Sequence, residues 1–291
     1  MSLQQTLFYT AHHNLGAQLV PFAGYHMPLH YPTGILTEHH AVRQRCGLFD
    51  VSHMGVLRLQ GPAAAAVLSQ LTPTDFTRKP LLSCTYTVLL NDQGGVIDDL
   101  IVTRLELNDF LLIVNASRKA VDQAWLTTHL TSAQAKLQAQ PQPCLLALQG
   151  PQAAAVLQDG PLSHENLSTL KPMQARPVKL LGHSAWLMRT GYTGEDGFEI
   201  LGSPNPRVAL ALWEALTNDT RVTPCGLGCR DSLRLEAGYP LYGNDLTETT
   251  TLAAASLNWV ITSGHTNFVG HAATTAAPTH KRVGIRLQGP G

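Results

Sequence analysis

Two adjacent carboxylates, Asp98 and Asp99, stand in a run of residues from 96 to 102 that otherwise favours a β-strand. Successive side chains of a strand point to opposite faces, so one of the two acids must point toward whatever covers the sheet. A buried charge without a partner is costly, and such an acid normally has a partner or a ligand. We expect Asp98 to cap the backbone amides of the preceding turn. Asp99 is the candidate for an acid that faces a ligand and moves protons.

This strand is the centre of a predicted three-strand meander formed by residues 85–90, 96–105 and 110–116. With turns centred at residue 93 and between residues 107 and 108, Tyr86 is expected opposite residue 100, and residue 100 opposite Asn115. Tyr86, the two acids and Asn115 then lie at one level of neighbouring strands. A shift of one residue, or a bulge at residues 94–95, would reverse the face of Asp99, so the facing stays open.

A second predicted hairpin runs from residue 185 to Tyr192, turns through residues 193–197 and returns over residues 198–201. Tyr192 is expected to face Glu199 across this hairpin, which leaves Glu199 as a lone acid beside the tyrosine. Residues 225–238 then favour a helix that ends at a glycine, with Arg230 and Arg234 on one face. From spacing alone, this face is a solvated one with paired charges.

The remaining pattern predicts an α+β chain. A Leu-Gln-Gly-Pro segment leading into an alanine-rich helix occurs at residues 59–68 and again at 148–157, which indicates two related strand–turn–helix units. A helix is expected near residues 37–46, whereas the proline-containing stretch 22–32 is a packed connector or part of a site wall. Residues 131–144 favour a boundary or loop, residues 271–280 a linker, and residues 282–287 a last strand.

Composition excludes some functions. Charged residues make up 14% of the 291, and the formal net charge is zero. Because the chain has no excess of positive charge, nucleic acid and anionic membranes are disfavoured as partners. No apolar run approaches the roughly 18 residues of a membrane helix, and the first residues lack features of a targeting peptide, so we expect a cytoplasmic protein. The five cysteines are expected to be free or buried thiols, and Cys225 and Cys229 lack the further ligands of a metal site, so no metal is expected.

Four segments, in order along the chain, resemble the T-protein family of the glycine cleavage system, the tetrahydrofolate-dependent aminomethyltransferases. They are residues 49–54, 94–100, 191–200 and 225–245. The resemblance implies an α+β fold of antiparallel sheets with flanking helices around a folate pocket. It implies an α+β domain from residues 1–48 and 141–275, a ferredoxin-like domain from residues 49–140, and the first strand of a C-terminal β-barrel in residues 276–291. The rest of that barrel is expected to be missing.

The resemblance also implies a reaction: an aminomethyl group arrives on the lipoyl arm of the H-protein, its methylene passes to tetrahydrofolate, and ammonia leaves. Tetrahydrofolate is the co-substrate, and lipoate comes with the H-protein. Asp99 takes the family's acid–base position. The implied folate-binding residues are Met54, Tyr86, Asp99, Asn115, Tyr192, Glu199 and Arg230. Their chemistry suits the ligand, because a carboxylate accepts pterin N–H groups, rings and methionine pack on a flat ring, and arginine binds carboxylates.

Three alternatives remain at this point. A folate-dependent demethylase of the same superfamily usually carries an oxidase domain, which this chain lacks. An iron–sulfur assembly factor carries a reactive cysteine in the hairpin region, where this chain has Gly191-Tyr192-Thr193-Gly194. The third is a truncated protein that binds folate and transfers little or nothing.

Overall fold

The structure, a computed structural model, describes residues 2–130, 135–162 and 165–285. These residues contain eight α-helices and thirteen strands. The strands are β1 (Gln18–Phe22), β2 (Tyr25–His30), β3 (Cys46–Asp50), β4 (Gly55–Gln60), β5 (Cys84–Leu90), β6 (Val96–Glu106), β7 (Asp109–Val114), β8 (Lys136–Gln140), β9 (Cys144–Gln149), β10 (Ala175–Leu180), β11 (His183–Met188), β12 (Gly197–Gly202) and β13 (Val222–Pro224). The helices are α1 (Tyr9–Asn14), α2 (Ile35–Gln44), α3 (Ala64–Leu71), α4 (Lys119–His129), α5 (Ala153–Asp159), α6 (Pro206–Thr217), α7 (Leu227–Glu236) and α8 (Leu252–Ala255).

Two large sheets organise the chain. The six-stranded sheet has the order β10-β11-β12-β9-β3-β13, and only its β13–β3 pair is parallel among the described strands. The five-stranded sheet has the order β5-β6-β7-β4-β8 and is antiparallel throughout. One hydrophobic cluster draws on both sheets, including Val56 and Leu111 from the smaller and Leu145 and Met188 from the larger. The sheets therefore pack face to face, while helices α3–α6 cover their outer faces.

The meander around the two acids forms as predicted, but its register differs by one residue. Tyr86 pairs with Ile101, and Leu100 pairs with Val114. Pairing shifts between Leu89 and Leu90, and again between residues 104 and 106, so each turn carries an irregularity that spacing does not reveal. Because residues two apart on a strand share a face, Ile101 places Asp99 on the same face as Tyr86.

The two strand–turn–helix units are confirmed, and they share an uncommon backbone conformation. Gly61 and Gly150 both have φ of 129°, and in each unit the glycine carbonyl accepts the amide of the residue three positions later. At Gly150, a Cβ atom would lie 2.5 Å from the carbonyl oxygen of Arg45. Glycine is therefore required there both by φ and by the close approach of the chain that enters β3.

Three sequence predictions need correction. Residues 136–140 form β8 rather than a loop, because Leu137 packs into the core opposite Leu59 while polar neighbours face outward from the sheet edge. The stretch 22–32, expected as a packed connector or part of a site wall, contains the strand β2, which pairs with β1. Of the expected strand 282–287, residues 282–285 are irregular, with the Arg282 amide bonded to the Ala254 carbonyl at 2.8 Å, and residues 286–287 lie outside the described residues.

The segment after α7 packs against the five-stranded sheet. Leu246, Leu252 and Phe268 join Val88 and Val96 in one hydrophobic cluster, so this segment covers strands β5 and β6 beside the two acids. Within the described part of the chain, no helix is both long and apolar enough to cross a membrane.

Candidate active site

Asp99 is held by two side chains, one from strand β5 and one from the residue that follows β7. The Tyr86 hydroxyl donates to Asp99 Oδ2 at 3.0 Å, and Asn115 Nδ2 donates to Asp99 Oδ1 at 2.8 Å. Burial, followed by the negative charge of Asp98, raises the pKa of Asp99 to about 7. An acid with that pKa can both take up and release a proton at neutral pH, which suits general acid–base chemistry.

Asp98 points to the opposite face and is fully buried. Its expected role as the cap of the turn is wrong, because Asn91 Oδ1 accepts the amides of Gln93 and Gly95 at 3.1 and 2.9 Å instead. Asp98 accepts the backbone amide of Asn115 at 3.0 Å and its side-chain amide at 2.9 Å. Asn115 therefore donates to both acids of the pair.

The expected pairing of Tyr192 with Glu199 is also wrong. Glu199 lies opposite Met188, because β11 ends there and residues 189–196 form a loop that is supported by Gln149. Gln149 Nε2 donates to the Thr190 carbonyl at 3.0 Å, and a Cβ on Gly191 would lie 1.9 Å from the Gln149 side chain. Glu199 instead accepts the Thr190 hydroxyl at 2.6 Å. Its strand neighbours Phe198 and Ile200 lie in the opposite core, as predicted.

Arg230 connects Tyr192 and Glu199. Its guanidinium lies over the Tyr192 ring, 4.8 Å from the centroid, and the charge of Glu199 favours its protonated form. Nη1 is buried and has no hydrogen-bond partner among the described residues, and burial lowers the pKa of Arg230. The prediction of a solvated face is wrong for Arg234 as well, because Arg234 is buried; its charge is paired, with Asp231 at 2.8 Å and Asp245 at 2.7 Å. A buried donor without an acceptor is costly and marks a place where a ligand oxygen or nitrogen can bind.

Two outer aromatic residues were not singled out from the sequence. Trp259 stacks on Tyr86 with the ring centroids 5.5 Å apart, and Tyr239 stacks on Tyr192 at 5.8 Å. Trp259 is 67% exposed, which is unusual for so large an apolar ring. The inner ring of each pair belongs to the predicted site. Burial raises the pKa of Tyr192 against the opposing charge of Arg230, and the nearby charge of Asp99 adds to the rise. The two groups of site residues are thus neighbours.

His53 and Met54 lie immediately before β4. Met54 is half-buried and packs against the cluster between the sheets. His53 is buried, its Nδ1 has no partner among the described residues, and its ring meets Phe22 edge-on at 5.5 Å. Burial, with the positive charges of Arg230 and Lys119, lowers the pKa of His53 to about 4 against the opposing effect of Asp50. His53 is therefore neutral at pH 7 beside Arg230, a feature that its sequence context did not reveal.

A cavity of about 890 Å³ opens elsewhere between the two sheets. It is lined by Val56 and Leu111 on one side and by Lys179 and Trp186 on the other. None of the predicted site residues lines it, so the volume of this cavity alone would not lead to the Asp99 site.

Cys225, Cys229 and Glu38 lie within ligand distance of one another, but their chemistry favours a structural role. The two carboxylate oxygens of Glu38 accept the backbone amides of Tyr31 at 2.6 Å and Gly226 at 2.9 Å. Burial, followed by the neighbouring Cys229, raises the pKa of the Cys225 thiol. All five cysteines are free thiols, as predicted.

Comparison with known proteins identifies the family. The family model described as the GCVT N-terminal domain matches residues 8–264. The chain belongs to the GCVT family. A GCVT relative from Thermosynechococcus vestitus, named aminomethyltransferase, is 42% identical over 294 residues, which cover 100% of this chain and 78% of the relative. An aminomethyltransferase from Thermus thermophilus is 43% identical, and the match covers 99% of this chain and 81% of the relative.

A solved GCVT structure agrees with these sequences. The crystal structure of glycine cleavage system aminomethyltransferase T from Bartonella henselae has a TM-score of 0.87 and 41% identity, and the match covers 94% of this chain and 74% of that one. The predicted α+β fold of T-protein type, with antiparallel sheets and flanking helices, is confirmed, as is the resemblance itself.

Proposed function

We propose that this chain is the tetrahydrofolate-dependent aminomethyltransferase of glycine cleavage, with its chemistry at Asp99. Membership of the GCVT family and relatives named aminomethyltransferase favour this function over a demethylase, an assembly factor or an inactive folate-binding protein. One observation supports the site most strongly. A carboxyl group with a pKa of about 7 accepts the Tyr86 hydroxyl and lies near Tyr192, whose ring is covered by a buried arginine donor that has no acceptor among the described residues.

The residues present suit the recognition of a folate. Glu199 Oε2 is engaged by Thr190, whereas Oε1 receives no hydrogen bond among the described residues and can accept an N–H of the pterin. Arg230 Nη1 can donate to a carbonyl or carboxylate oxygen of the ligand. Met54 and the rings of Tyr86 and Tyr192 offer apolar surface to a flat heterocycle. Asn115 orients Asp99 and is the remaining member of the proposed binding set.

Protons must move in this reaction. Tetrahydrofolate supplies two N–H nitrogens that bind the incoming methylene, so two protons leave them while the C–N bond to the amine and the C–S bond to the lipoyl sulfur break. One proton ends on ammonia and the other on the lipoyl thiol. Asp99 is partly exposed and, with a pKa of about 7, can accept one such proton and release it to the departing amine. Tyr86 and Asn115 keep the carboxylate in place for both transfers.

The partner in this proposal is the H-protein, whose lipoyl arm brings the aminomethyl group. Within the proposal the chain divides as the family resemblance implies. Residues 1–48 and 141–275 form one α+β domain, and residues 49–140 form the ferredoxin-like domain with Asp99.

Ammonia release tests the proposal. Purified chain is mixed with aminomethyl-loaded H-protein, with and without tetrahydrofolate, and ammonia is measured together with methylene-tetrahydrofolate. We expect both products in equal amounts, only when tetrahydrofolate is present. Tetrahydrofolate binding without either product would instead support the inactive alternative. Asp92→Asn, in the exposed turn of the same hairpin, is the matched control for Asp99→Asn.

A further inference from the structure

A second carboxyl group lies behind the active-site pair. Asp122, on helix α4, is fully buried and lies within hydrogen-bonding reach of Asp98 on β6, which is buried as well. Neither oxygen of Asp122 receives a hydrogen bond from an N–H or O–H group of the described residues. The proposed reaction does not use Asp122.

Two buried carboxyl groups in contact cannot both be ionised without a large cost. The hydrogen bonds decide which one keeps the proton. Burial raises the pKa of Asp98, but Asp98 also accepts two N–H groups of Asn115, which stabilise its charged form. Asp122 accepts none, and burial, followed by the charge of Asp98, raises the pKa of Asp122 to about 10. Asp122 can therefore keep a proton at neutral pH and direct it toward Asp98.

The charged groups around this pair fit that assignment. Arg118, at the start of α4, favours ionisation of Asp122, but its guanidinium is engaged elsewhere. Its Nε donates to the Ile97 carbonyl at 2.9 Å and its Nη2 pairs with Glu248 at 2.6 Å. The Tyr242 ring lies against the same guanidinium, 4.7 Å from its Cζ atom. Burial raises the pKa of Tyr242, so it stays neutral.

Asn115 links the buried pair to the active site. Its Nδ2 donates both to Asp98 Oδ1 at 2.9 Å and to Asp99 Oδ1 at 2.8 Å. Asp99 faces the neutral phenols of Tyr86 and Tyr192 on its other side. Among these groups, the charge on Asp98 is the one that opposes ionisation of Asp99.

We propose that Asp122 is a positioning residue of the transferase. A protonated Asp122 allows Asp98 to remain an anion. The charge of Asp98 opposes ionisation of Asp99, and Asn115, which is bonded to both acids, holds Asp99 in its orientation. This inference rests on the proposed role of Asp99.

Carbon-13 NMR titration of aspartate carboxyl groups in the full chain tests the inference without substrate. In the wild-type protein, the Asp122 signal should keep the chemical shift of a protonated carboxyl from pH 5 to 9. Asp122→Asn keeps a donor toward Asp98 and should leave the pKa of Asp99 nearly unchanged. In Asp122→Ala, Asp98 loses that donor and takes up the proton itself, so the pKa of Asp99 should fall by about one unit or more.

The acidic limb of the pH profile for ammonia release should follow the same pattern, moving to lower pH in Asp122→Ala and staying in place in Asp122→Asn. An ionised Asp122 at pH 7 in the wild-type chain would overturn the inference. So would an equal change of the Asp99 pKa in both variants, or no change in Asp122→Ala. If Asp122→Ala does not fold, the wild-type titration still decides. A wild-type chain that releases no ammonia would count against the proposed function and leave the NMR result intact.

Discussion

Replacing Asp99 with asparagine should remove activity and yet stabilise the fold. An aspartate titrates near 4 in an unfolded chain, whereas the pKa of Asp99 in the folded protein is about 7. For an acid with a raised folded-state pKa, the folded protein loses stability as the pH rises from about 4 to about 7. A difference of about three pKa units corresponds to at most about 4 kcal/mol at pH 8. Asp99 keeps partial access to solvent, so we expect a gain of about 1–2 kcal/mol in Asp99→Asn at pH 8, and less than half of that at pH 5.

Urea unfolding of the wild type, Asp99→Asn and Asp92→Asn at pH 5 and pH 8 measures this effect. Asp92→Asn should match the wild type at both values, because Asp92 is exposed in the turn. Ammonia release should fall by about 10²–10⁴ in Asp99→Asn and stay near the wild-type rate in the control. Two results would refute the reasoning that the raised pKa of Asp99 costs the folded protein stability. One is an Asp99→Asn protein that is less stable than the wild type at pH 8, and the other is a gain in stability that does not depend on pH.

Three further substitutions have defined outcomes. Glu199→Gln should weaken tetrahydrofolate binding by about 1–3 kcal/mol, measured by calorimetry. The control Glu214→Gln, on an exposed helix face, should leave the affinity unchanged. Equal affinity in the two variants would show that Glu199 does not bind the ligand. Arg230→Met should weaken the same binding without loss of folding stability, since Nη1 has no partner in the described residues. Arg234→Met should destabilise the fold by about 1.5–3 kcal/mol, because Asp245 loses its charged partner and keeps only the Leu241 amide. Equal destabilisation in the two arginine variants would contradict this. His53, with a pKa lowered to about 4, should cost the folded state up to about 3 kcal/mol as the pH falls from about 6.5 to about 4. His53→Gln should therefore flatten the pH dependence of unfolding in that range, and an unchanged slope would show that the imidazole is not buried in its neutral form.

Local spacing predicted the centre of the site well. Alternation along one strand and two short turns brought Tyr86, Asp99 and Asn115 to one level, and the structure joins them by hydrogen bonds. The register was off by one because irregular pairing in each turn is set by backbone geometry that residue counting does not detect. The same one-residue shift decided which acid faces the site.

The rest of the site depends on contacts between distant segments. Residue counting placed Tyr192 opposite Glu199 in a hairpin. Gln149, from another strand, instead supports a wider loop between them. The two residues are related through Arg230, which lies over the Tyr192 ring and is influenced by the charge of Glu199. Trp259 reaches the site only because the segment after α7 packs onto β5 and β6. Propensity and periodicity describe one segment at a time, and such contacts lie beyond them.

Locating bound tetrahydrofolate in a crystal structure of this chain tests the central claim most directly. The account predicts that the pterin contacts Glu199 and the Tyr192–Arg230 pair, with its reacting nitrogens beside Asp99. Tetrahydrofolate bound in the cavity lined by Trp186 and Lys179, with Asp99 untouched, would contradict it.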